Sequence, residues 1–371
     1  MNFNLRTLVL PLAVGLPMAT TLAMSPSKPT TEITSSQSAA TSSDEVKYNG
    51  PLDITIGTRI DYQRMYQKSD LLKDQTGFKG NNLIINIQGN MTEKISYRFR
   101  HRIQKTQENS NFFDGTDYMW LQYSFNKHWD IRAGKVAIEH GSIEYQLDPY
   151  DNYVFSDFWN YPACYLFGVN LGYNFSDRDR LVLQGAESSF RNKENPDLYS
   201  YALSWYGNHG WFHNIYTVNM TEYSDGHFVC YFSLGNQFDL GKFQVNLDYM
   251  NRITDSGKKW KDCTVRGELK YRPCDNFMFT GFGTYSVNKT HDLGVGYIPI
   301  GTEMTRWGSI FEFTPIPKID KNLILHFCYS YGYGHEGVKN EEPSQNRHYF
   351  TAGLHWKIDV VDLVKKMWKK I

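Results

Sequence analysis

From Leu52 onward, apolar or aromatic residues alternate with polar or small residues at every second position, over segments of roughly ten residues. The repeat of about 3.6 residues that marks an amphipathic helix is largely absent. A period of two predicts β-strands with one apolar and one polar face. The pattern predicts sixteen strands, at about 52–62, 82–90, 94–104, 117–126, 128–137, 164–175, 179–189, 198–207, 210–221, 227–237, 242–252, 262–272, 276–287, 302–314, 321–332 and 347–358.

The connections between these segments alternate in length. Turns such as 91–93 and 239–241 are tight, whereas most of the intervening connections are much longer, with a short exception at 222–226. Outer-membrane barrels show this asymmetry, because they have tight periplasmic turns and long external loops. The sequence therefore predicts an all-β chain, in which residues 51–358 form one transmembrane antiparallel β-barrel of about 16 strands.

The third segment decides which face of the strands meets lipid. Tyr97 and Phe99 alternate there with Arg98, Arg100 and Arg102. An arginine that faces lipid at the middle of the bilayer costs about 2–4 kcal/mol, so the three arginines must face the lumen. A shift of one residue would move all of them into lipid, and the register is therefore strongly specified. His101 is an exception, because the same rule places it on the lipid face, near the external end of its strand.

The same rule assigns further polar side chains to the lumen. The basic ones are Arg132, Arg266, Lys270, Arg272 and Lys357, and the others include Gln244, Asn246, Asp248, Glu268 and His355. Sixteen strands enclose a lumen that is wide enough for water. With this polar interior, we predict a channel whose basic pore-lining residues are Arg98, Arg100, Arg102, Arg132, Arg266 and Lys270.

The amino-terminal region predicts export. An apolar run follows Arg6, and Thr21 and Ala23 supply small residues before a cleavage site, so residues 1–23 are predicted to be a secretory signal peptide. An uncleaved anchor is the alternative, and two prolines inside the run argue against a continuous helix. The Ser/Thr-rich residues 24–50 have too little apolar content to bury a core and predict a periplasmic linker. The predicted location is the bacterial outer membrane.

Composition narrows the function further. The 39 Lys and Arg residues balance 39 Asp and Glu residues, so the formal net charge is zero and does not favour nucleic acid as a partner. A mean hydropathy of −0.52 is too polar for a protein that spans the membrane with several helices. The five cysteines are widely scattered and lack the spacing of a zinc site or a disulfide framework. We predict no metal and no cofactor.

The longest connection covers residues 138–163 and follows the fifth predicted strand. It contains many aromatic residues, which an exposed loop has little use for, and neither Lys nor Arg. We therefore predict that this third external loop folds into the lumen and narrows it. Its predicted acidic constriction residues are Glu139, Glu144, Asp148, Asp151 and Asp157.

A family resemblance is carried by three short stretches. Ile131-Arg-Ala-Gly-Lys135, Glu139-His-Gly141 and Asp148-Pro-Tyr-Asp151, the last continuing through Phe158, resemble the phosphate-selective porin O and P family of Bacteroidetes-type outer membranes. The resemblance implies a sixteen-stranded channel, often a homotrimer, with a ladder of arginines on its wall. Arg98, Arg100, Arg102 and Arg132 fit such a ladder. Phosphate-selecting members also place basic residues in the constriction, whereas this loop is acidic.

We therefore predict a passive outer-membrane porin for small hydrophilic solutes, with anion or phosphate preference. A basic wall that faces an acidic loop would set a transverse field across a narrow pore. In an alternative interpretation, the arginines merely pair with the loop and set the pore width. The alternative function is a structural or partner-binding barrel of an envelope or secretion complex, without an open pore. The predicted partners are membrane lipid and small polar or anionic solutes.

No enzyme is predicted. The adjacent pairs Glu139-His140 and His335-Glu336 lack the spacing of metal ligands, and no phosphate-binding glycine loop stands out.

The carboxyl-terminal residues 359–371 form a basic amphipathic tail. Apolar residues recur at helical spacing beside four lysines, at Val360, Val361, Leu363, Val364, Met367, Trp368 and Ile371. This pattern predicts a short helix at the membrane interface, and a frayed terminus is the alternative.

Overall fold

The computed structural model describes residues 50–103, 112–160, 163–253, 261–290, 298–335, 337 and 346–368. The predicted signal peptide, residues 24–49 of the predicted linker and the last three residues of the tail lie outside the described residues.

Sixteen long strands lie within the described residues, one for each predicted segment. They are β1 (Asp53–Gln67), β2 (Gly77–Asn90), β3 (Ile95–Arg102), β4 (Thr116–Ser124), β5 (Trp129–Ala137), β6 (Tyr165–Asn174), β7 (Asp179–Glu187), β8 (Tyr199–Asn208), β9 (Phe212–Ser224), β10 (His227–Leu240), β11 (Phe243–Ile253), β12 (Asp262–Cys274), β13 (Phe277–Asn288), β14 (Glu303–Phe313), β15 (Leu323–His335) and β16 (Arg347–Asp359). A two-residue strand, Asp70–Leu71, pairs with the end of β1.

Each long strand pairs antiparallel with its neighbours in the chain, and the sheet closes on itself. The closing pair is β1 with β16, in a continuous register from Thr55 opposite Asp359 to Gln67 opposite Arg347. A closed sheet leaves no edge strand with unpaired backbone groups. The predicted antiparallel barrel of sixteen strands is confirmed.

The first hairpin is longer than predicted. The segments predicted to end at residue 62 and to restart at 82 extend to Gln67 and back to Gly77. The register shifts by one residue between Arg59 and Ile60, because β2 carries the extra residue Asn81 there. This bulge interrupts the alternation of β2 just before residue 82, where its segment was predicted to start. Beyond the bulge the strands stay paired, and the rings of Tyr62 and Phe78 lie 5.1 Å apart.

The two faces of the strands differ as the alternation predicted. On β11, the outward-facing Leu247 is 47% exposed, whereas the adjacent Asp248 is 3% exposed. His101 lies on the outer face, where its Nδ1 is 3.0 Å from the hydroxyl of Thr116 and its ring stacks on Phe112 at 4.5 Å. A polar partner and an aromatic cover therefore explain how a histidine is accommodated there.

Helices are few and short. The 3₁₀ helices are Lys73–Gln75, Phe112–Gly115, Glu144–Gln146 and Asp157–Asn160, and α1 (Val360–Trp368) follows β16 directly. The Asp359 carboxylate accepts a hydrogen bond of 2.8 Å from the backbone N–H of Asp362 and caps α1. Within the described part of the chain, no helix has the length and apolarity to span a membrane.

We expect the outer and inner faces to tolerate a charge very differently. Leu247→Arg places a cation against lipid near the middle of β11 and should lower the free energy of unfolding by about 2–4 kcal/mol. The matched control Gln244→Arg places the same residue on the inner face of the same strand and should change it little. Urea unfolding in vesicles, followed by the heat-dependent gel mobility of the barrel, measures both. Equal losses would contradict the assignment of the faces.

Candidate functional site

The loop between β5 and β6 contacts inward-facing side chains of strands from all around the barrel. Three arginines on three strands donate to backbone carbonyls within residues 152–155 of this loop. The bonds join Arg59 Nη1 to Asn152 O (2.8 Å), Arg266 Nη1 to Val154 O (3.0 Å) and Arg306 Nη1 to Phe155 O (3.0 Å). Because arginine presents several donors in a rigid fork, these bonds fix the backbone of residues 152–155 against β1, β12 and β14.

The first part of the loop is held by different groups. The Asp248 carboxylate on β11 accepts the backbone N–H groups of Ile143 (2.6 Å) and Glu144 (2.9 Å). The side-chain oxygen of Gln184 on β7 accepts a hydrogen bond from the backbone N–H of Glu139 at 2.8 Å. Asn219 on β9 donates to the backbone carbonyl of Glu139 at 3.0 Å. The loop is thus bonded to the wall over residues 139–144 as well as 152–155.

Aromatic residues of the loop form part of an apolar core. Phe158 and Trp159 are buried with residues from two strands and a neighbouring loop, at Val229, Tyr231, Met250 and Ile298. Tyr145 stacks on Trp159 with ring centroids 4.4 Å apart. The aromatic content of the loop is therefore used for packing, and the sector beside β10 and β11 is filled with apolar side chains.

In the predicted arginine ladder, Arg98 and Arg100 are buried and Arg102 is half-buried. Arg100 reaches Asp117 (3.0 Å), Asp148 of the loop (3.1 Å) and the hydroxyl of Tyr165 (2.7 Å). Arg102 binds the same carboxylate of Asp117 at 2.7 Å. One carboxylate thus lies between two arginines and relieves their repulsion.

Arg98 has a different environment. It donates to Asn86 Oδ1 at 2.8 Å and lies over the ring of Tyr118 at 4.3 Å. Sequence reasoning missed Asp117 and Tyr118. Both stand at the start of β4, the neighbour of the ladder strand, so the pairing of adjacent strands was the signal that could have found them.

The other predicted basic residues are separate from the ladder. Arg132 is buried, donates twice to Gln122 Oε1 (3.0 and 2.7 Å) and lies 4.4 Å above the ring of Trp120. Arg266 contacts Glu144 (3.3 Å) and Glu268 (3.1 Å), and Lys270 contacts Glu268 (3.1 Å). The six residues therefore fall into three groups on different parts of the wall.

Three of the five predicted acidic residues hold the loop in place. Glu139 accepts a hydrogen bond from the hydroxyl of Tyr206. Glu144 accepts from the N–H of Ser156 at 2.7 Å, besides its contact with Arg266. Asp157 pairs with Arg306 at 3.0 Å. These carboxylates are buried and bonded to the wall or to the loop itself.

Asp148 and Asp151 keep contact with water. Their side chains are 36% and 24% exposed. Burial opposes the charge of Asp148, but Arg100, Lys357 and Arg98 outweigh it and lower the pKa of Asp148 below its usual value. Burial, Asp148 and Glu312 together raise the pKa of Asp151 to about 8. At neutral pH, Asp148 is therefore charged and Asp151 is largely protonated.

Lys357 on β16 is the functional candidate that the site prediction omitted, although the alternation on the last strand had placed it inside. Its charge acts on both Asp148 and Asp151, and that of Lys270 acts on Asp151. The two partly exposed loop carboxyl groups thus face cations from β3, β12 and β16. Among the described residues, no group of three or more His, Cys, Asp or Glu side chains is arranged to hold a metal ion.

The comparisons with known proteins agree with this architecture. Residues 52–210 match the family model of phosphate-selective porin O and P, so the predicted family resemblance is confirmed over β1 to β8. The protein is an outer-membrane porin. The matched family model and the fold point to a passive diffusion channel rather than to an enzyme. A search of curated proteins finds no match.

Solved structures share the fold at low sequence identity. An anion-selective porin from Comamonas acidovorans has a TM-score of 0.61 at 8% identity, over 83% of this chain and 99% of that chain. The outer-membrane channel DcaP of Acinetobacter baumannii has a TM-score of 0.60 at 11% identity, over 85% and 99%. The trimer form of the Vibrio cholerae outer-membrane protein OmpT has a TM-score of 0.56 at 10% identity, over 84% and 100%.

We expect Arg59 to fix the loop at Asn152. Arg59→Ala removes a charged hydrogen bond of about 1.5–3 kcal/mol, so amide hydrogen exchange in residues 150–155 should become about tenfold faster or more. Exchange of the full-length porin, followed by mass spectrometry of peptides from this loop, measures the change.

Arg64→Ala is the matched control, because Arg64 lies on the same strand but is exposed. It should leave the exchange of the loop unaltered. If Arg59→Ala behaves like this control, the arginine does not hold the loop.

Proposed function

We propose that solutes cross this porin through a passage between loop residues Asp148 and Asp151 and a basic wall that includes Arg100, Lys270 and Lys357. The observation that carries the proposal is the partial exposure of these two carboxyl groups, whereas the other three acidic residues of the loop are buried. Phe158 and Trp159 of the loop fill the sector beside β10 and β11, and Tyr153 and Val154 fill the sector beside β13 to β15. We place the passage beside β16 and β3, where Asp148 and Asp151 are partly exposed. The passage is then off centre in the barrel.

The charges of this passage favour small anions weakly over cations. Arg98, Arg100 and Lys357 act on Asp148, and Asp151 contributes little negative charge at neutral pH because of its raised pKa. A surplus of fixed positive charge raises the local concentration of anions. The anion selectivity in the name of the Comamonas acidovorans porin supports this preference. Strong phosphate selectivity is not part of the proposal, because the loop carries no Lys or Arg.

Two further parts of the proposal concern assembly and chemistry. We propose a homotrimer, which the family resemblance implies and the trimer form of OmpT supports. We also propose that transport involves no enzymatic step and no cofactor.

The wall charges can be tested by conductance. Lys270→Gln with Lys357→Gln removes two positive charges and should move the reversal potential in a salt gradient towards cation preference, more at low ionic strength where screening is weaker. Asp148→Asn should move it the opposite way. Planar-bilayer recordings of the purified porin measure both shifts.

Lys318→Gln is the control, because Lys318 is exposed in the turn between β14 and β15 and lies outside the proposed passage. It should leave the reversal potential unchanged. An unchanged potential in the double variant, with conductance intact, would mean that solutes pass elsewhere. A wild-type barrel without conductance would support the alternative of a closed structural or partner-binding barrel.

The protonation of Asp151 predicts a pH dependence. Its pKa is raised to about 8, so the carboxyl group is neutral below that pH and negative above it. Anion preference should therefore decrease as the pH rises from 6 to 9, with the change centred near 8. Reversal potentials across this range measure it, and Asp151→Asn should flatten the curve. An equal pH dependence in Asp151→Asn would assign the titration to another group.

A further inference from the structure

The carboxyl-terminal helix α1 leaves most of its apolar surface without protein cover. None of its residues is buried. Four apolar side chains are between 45% and 76% exposed, at Leu363, Val364, Met367 and Trp368. Contiguous exposed apolar patches mark sites of interaction with a membrane or another molecule, so this surface is expected to be covered by one of them.

The apolar and charged residues of α1 lie on opposite sides. With 100° of rotation per residue, the six apolar side chains of residues 360–368 fall within an arc of about 160°. Asp362, Lys365 and Lys366 occupy the remaining arc, with the two lysines towards its two edges. Lysines at the borders of an apolar face are typical of helices that lie in the plane of a membrane surface.

The apolar face begins where the lipid-facing surface of the barrel ends. Trp356 and Ile358 face outward on β16, and Ile358 pairs with Ile56 on β1. The helix starts two residues after Ile358, and the Asp359 cap fixes its first turn directly on the strand. Because α1 continues directly from β16, it lies at the periplasmic rim of the surface that contacts the acyl chains.

The turn between β14 and β15 provides a second apolar element at this rim. Ile316 and Ile319 are exposed in it. Asp320 of the same turn accepts a hydrogen bond of 2.7 Å from Trp356 Nε1. A hydrogen bond to Asp362, and more weakly the charge of Asp320, raise the pKa of Lys366. The turn thus adds exposed apolar side chains beside the end of β16, from which α1 continues.

We propose that α1 lies in the inner interface of the outer membrane, with its apolar face on the acyl chains and its lysines at anionic lipid phosphates. A protein partner fits less well, because a helix of nine residues is only about 14 Å long and offers far less than the roughly 800 Å² that a stable interface buries on each partner. Lipid already covers the adjoining surface, so α1 extends that contact without a new partner.

Site-directed spin labels on the full-length porin test the proposal. The five native cysteines are replaced by alanine, and the heat-dependent gel mobility verifies that the barrel still folds. Val364→Cys places a label on the apolar face, and Lys366→Cys places the matched control on the charged face. The protein is reconstituted in vesicles of phosphatidylethanolamine and phosphatidylglycerol.

The label at 364 should collide with lipid-dissolved oxygen rather than with a water-soluble nickel chelate, and the label at 366 should show the reverse. We expect the ratio of the two collision rates to differ at least about twofold between the positions. Met367→Cys repeats the test on the apolar face, should the first label disturb the helix. Vesicles of phosphatidylcholine alone should reduce the difference, because they lack the anionic phosphates.

Two results would overturn the proposal. Equal ratios at 364, 366 and 367 would place the helix in water. Protection of all three labels from both reagents would indicate a protein contact instead of lipid. Neither result depends on conductance, so the test is independent of the proposed passage.

Discussion

The closing pair of β1 with β16 is the constraint on which the rest of this structure depends. In the hydrocarbon of a bilayer, each unpaired backbone group costs several kcal/mol, so a spanning sheet has to return to its first strand. Closure gives every strand one face towards lipid and one face towards an enclosed space. The polar side chains of each alternating segment must therefore face this enclosed space. The density of charge inside the barrel is therefore a consequence of the period-two sequence, before any solute is considered.

An enclosed set of charges needs partners, and the loop after β5 supplies many of them. Arg59, Arg266 and Arg306 each donate to a loop carbonyl, and Arg100 takes one of its carboxylates from Asp148. In return, the loop buries Phe158 and Trp159 against β10 and β11, and Tyr153 against β13 to β15. In the proposed arrangement, these packed sectors leave the passage for water beside β16 and β3. A wide barrel can thus hold a narrow passage without a separate plug domain.

The sequence predicted the strands well, because an arginine on the wrong face is costly and leaves little freedom in register. It predicted the hairpin of β1 and β2 less well, because the bulge at Asn81 breaks the alternation of β2 where the strands are still paired. Partners across the barrel could not be predicted. The electrostatic effect of Lys357 on Asp148 and Asp151 depends on the curvature of the sheet and on the path of the loop, neither of which leaves a periodic signal. The pairing of Asp117 with the ladder could have been predicted, because Asp117 lies on the strand next to it. Asp117 was interpreted only as the start of a strand and was not tested as a partner of the arginines.

The pairing of Arg100 has a consequence for transport through the proposed passage. Arg100 already holds two carboxylates and a tyrosine hydroxyl, so a solute anion that approaches it competes with Asp148. Because Asp148 already binds Arg100, the affinity of Arg100 for a solute oxyanion is lower than that of an unpaired arginine. Weak binding of this kind suits a diffusion channel, because a solute must leave as readily as it enters. An acidic loop against a basic wall is thus compatible with anion passage. The loop carboxylate turns a site of high affinity for anions into one of low affinity.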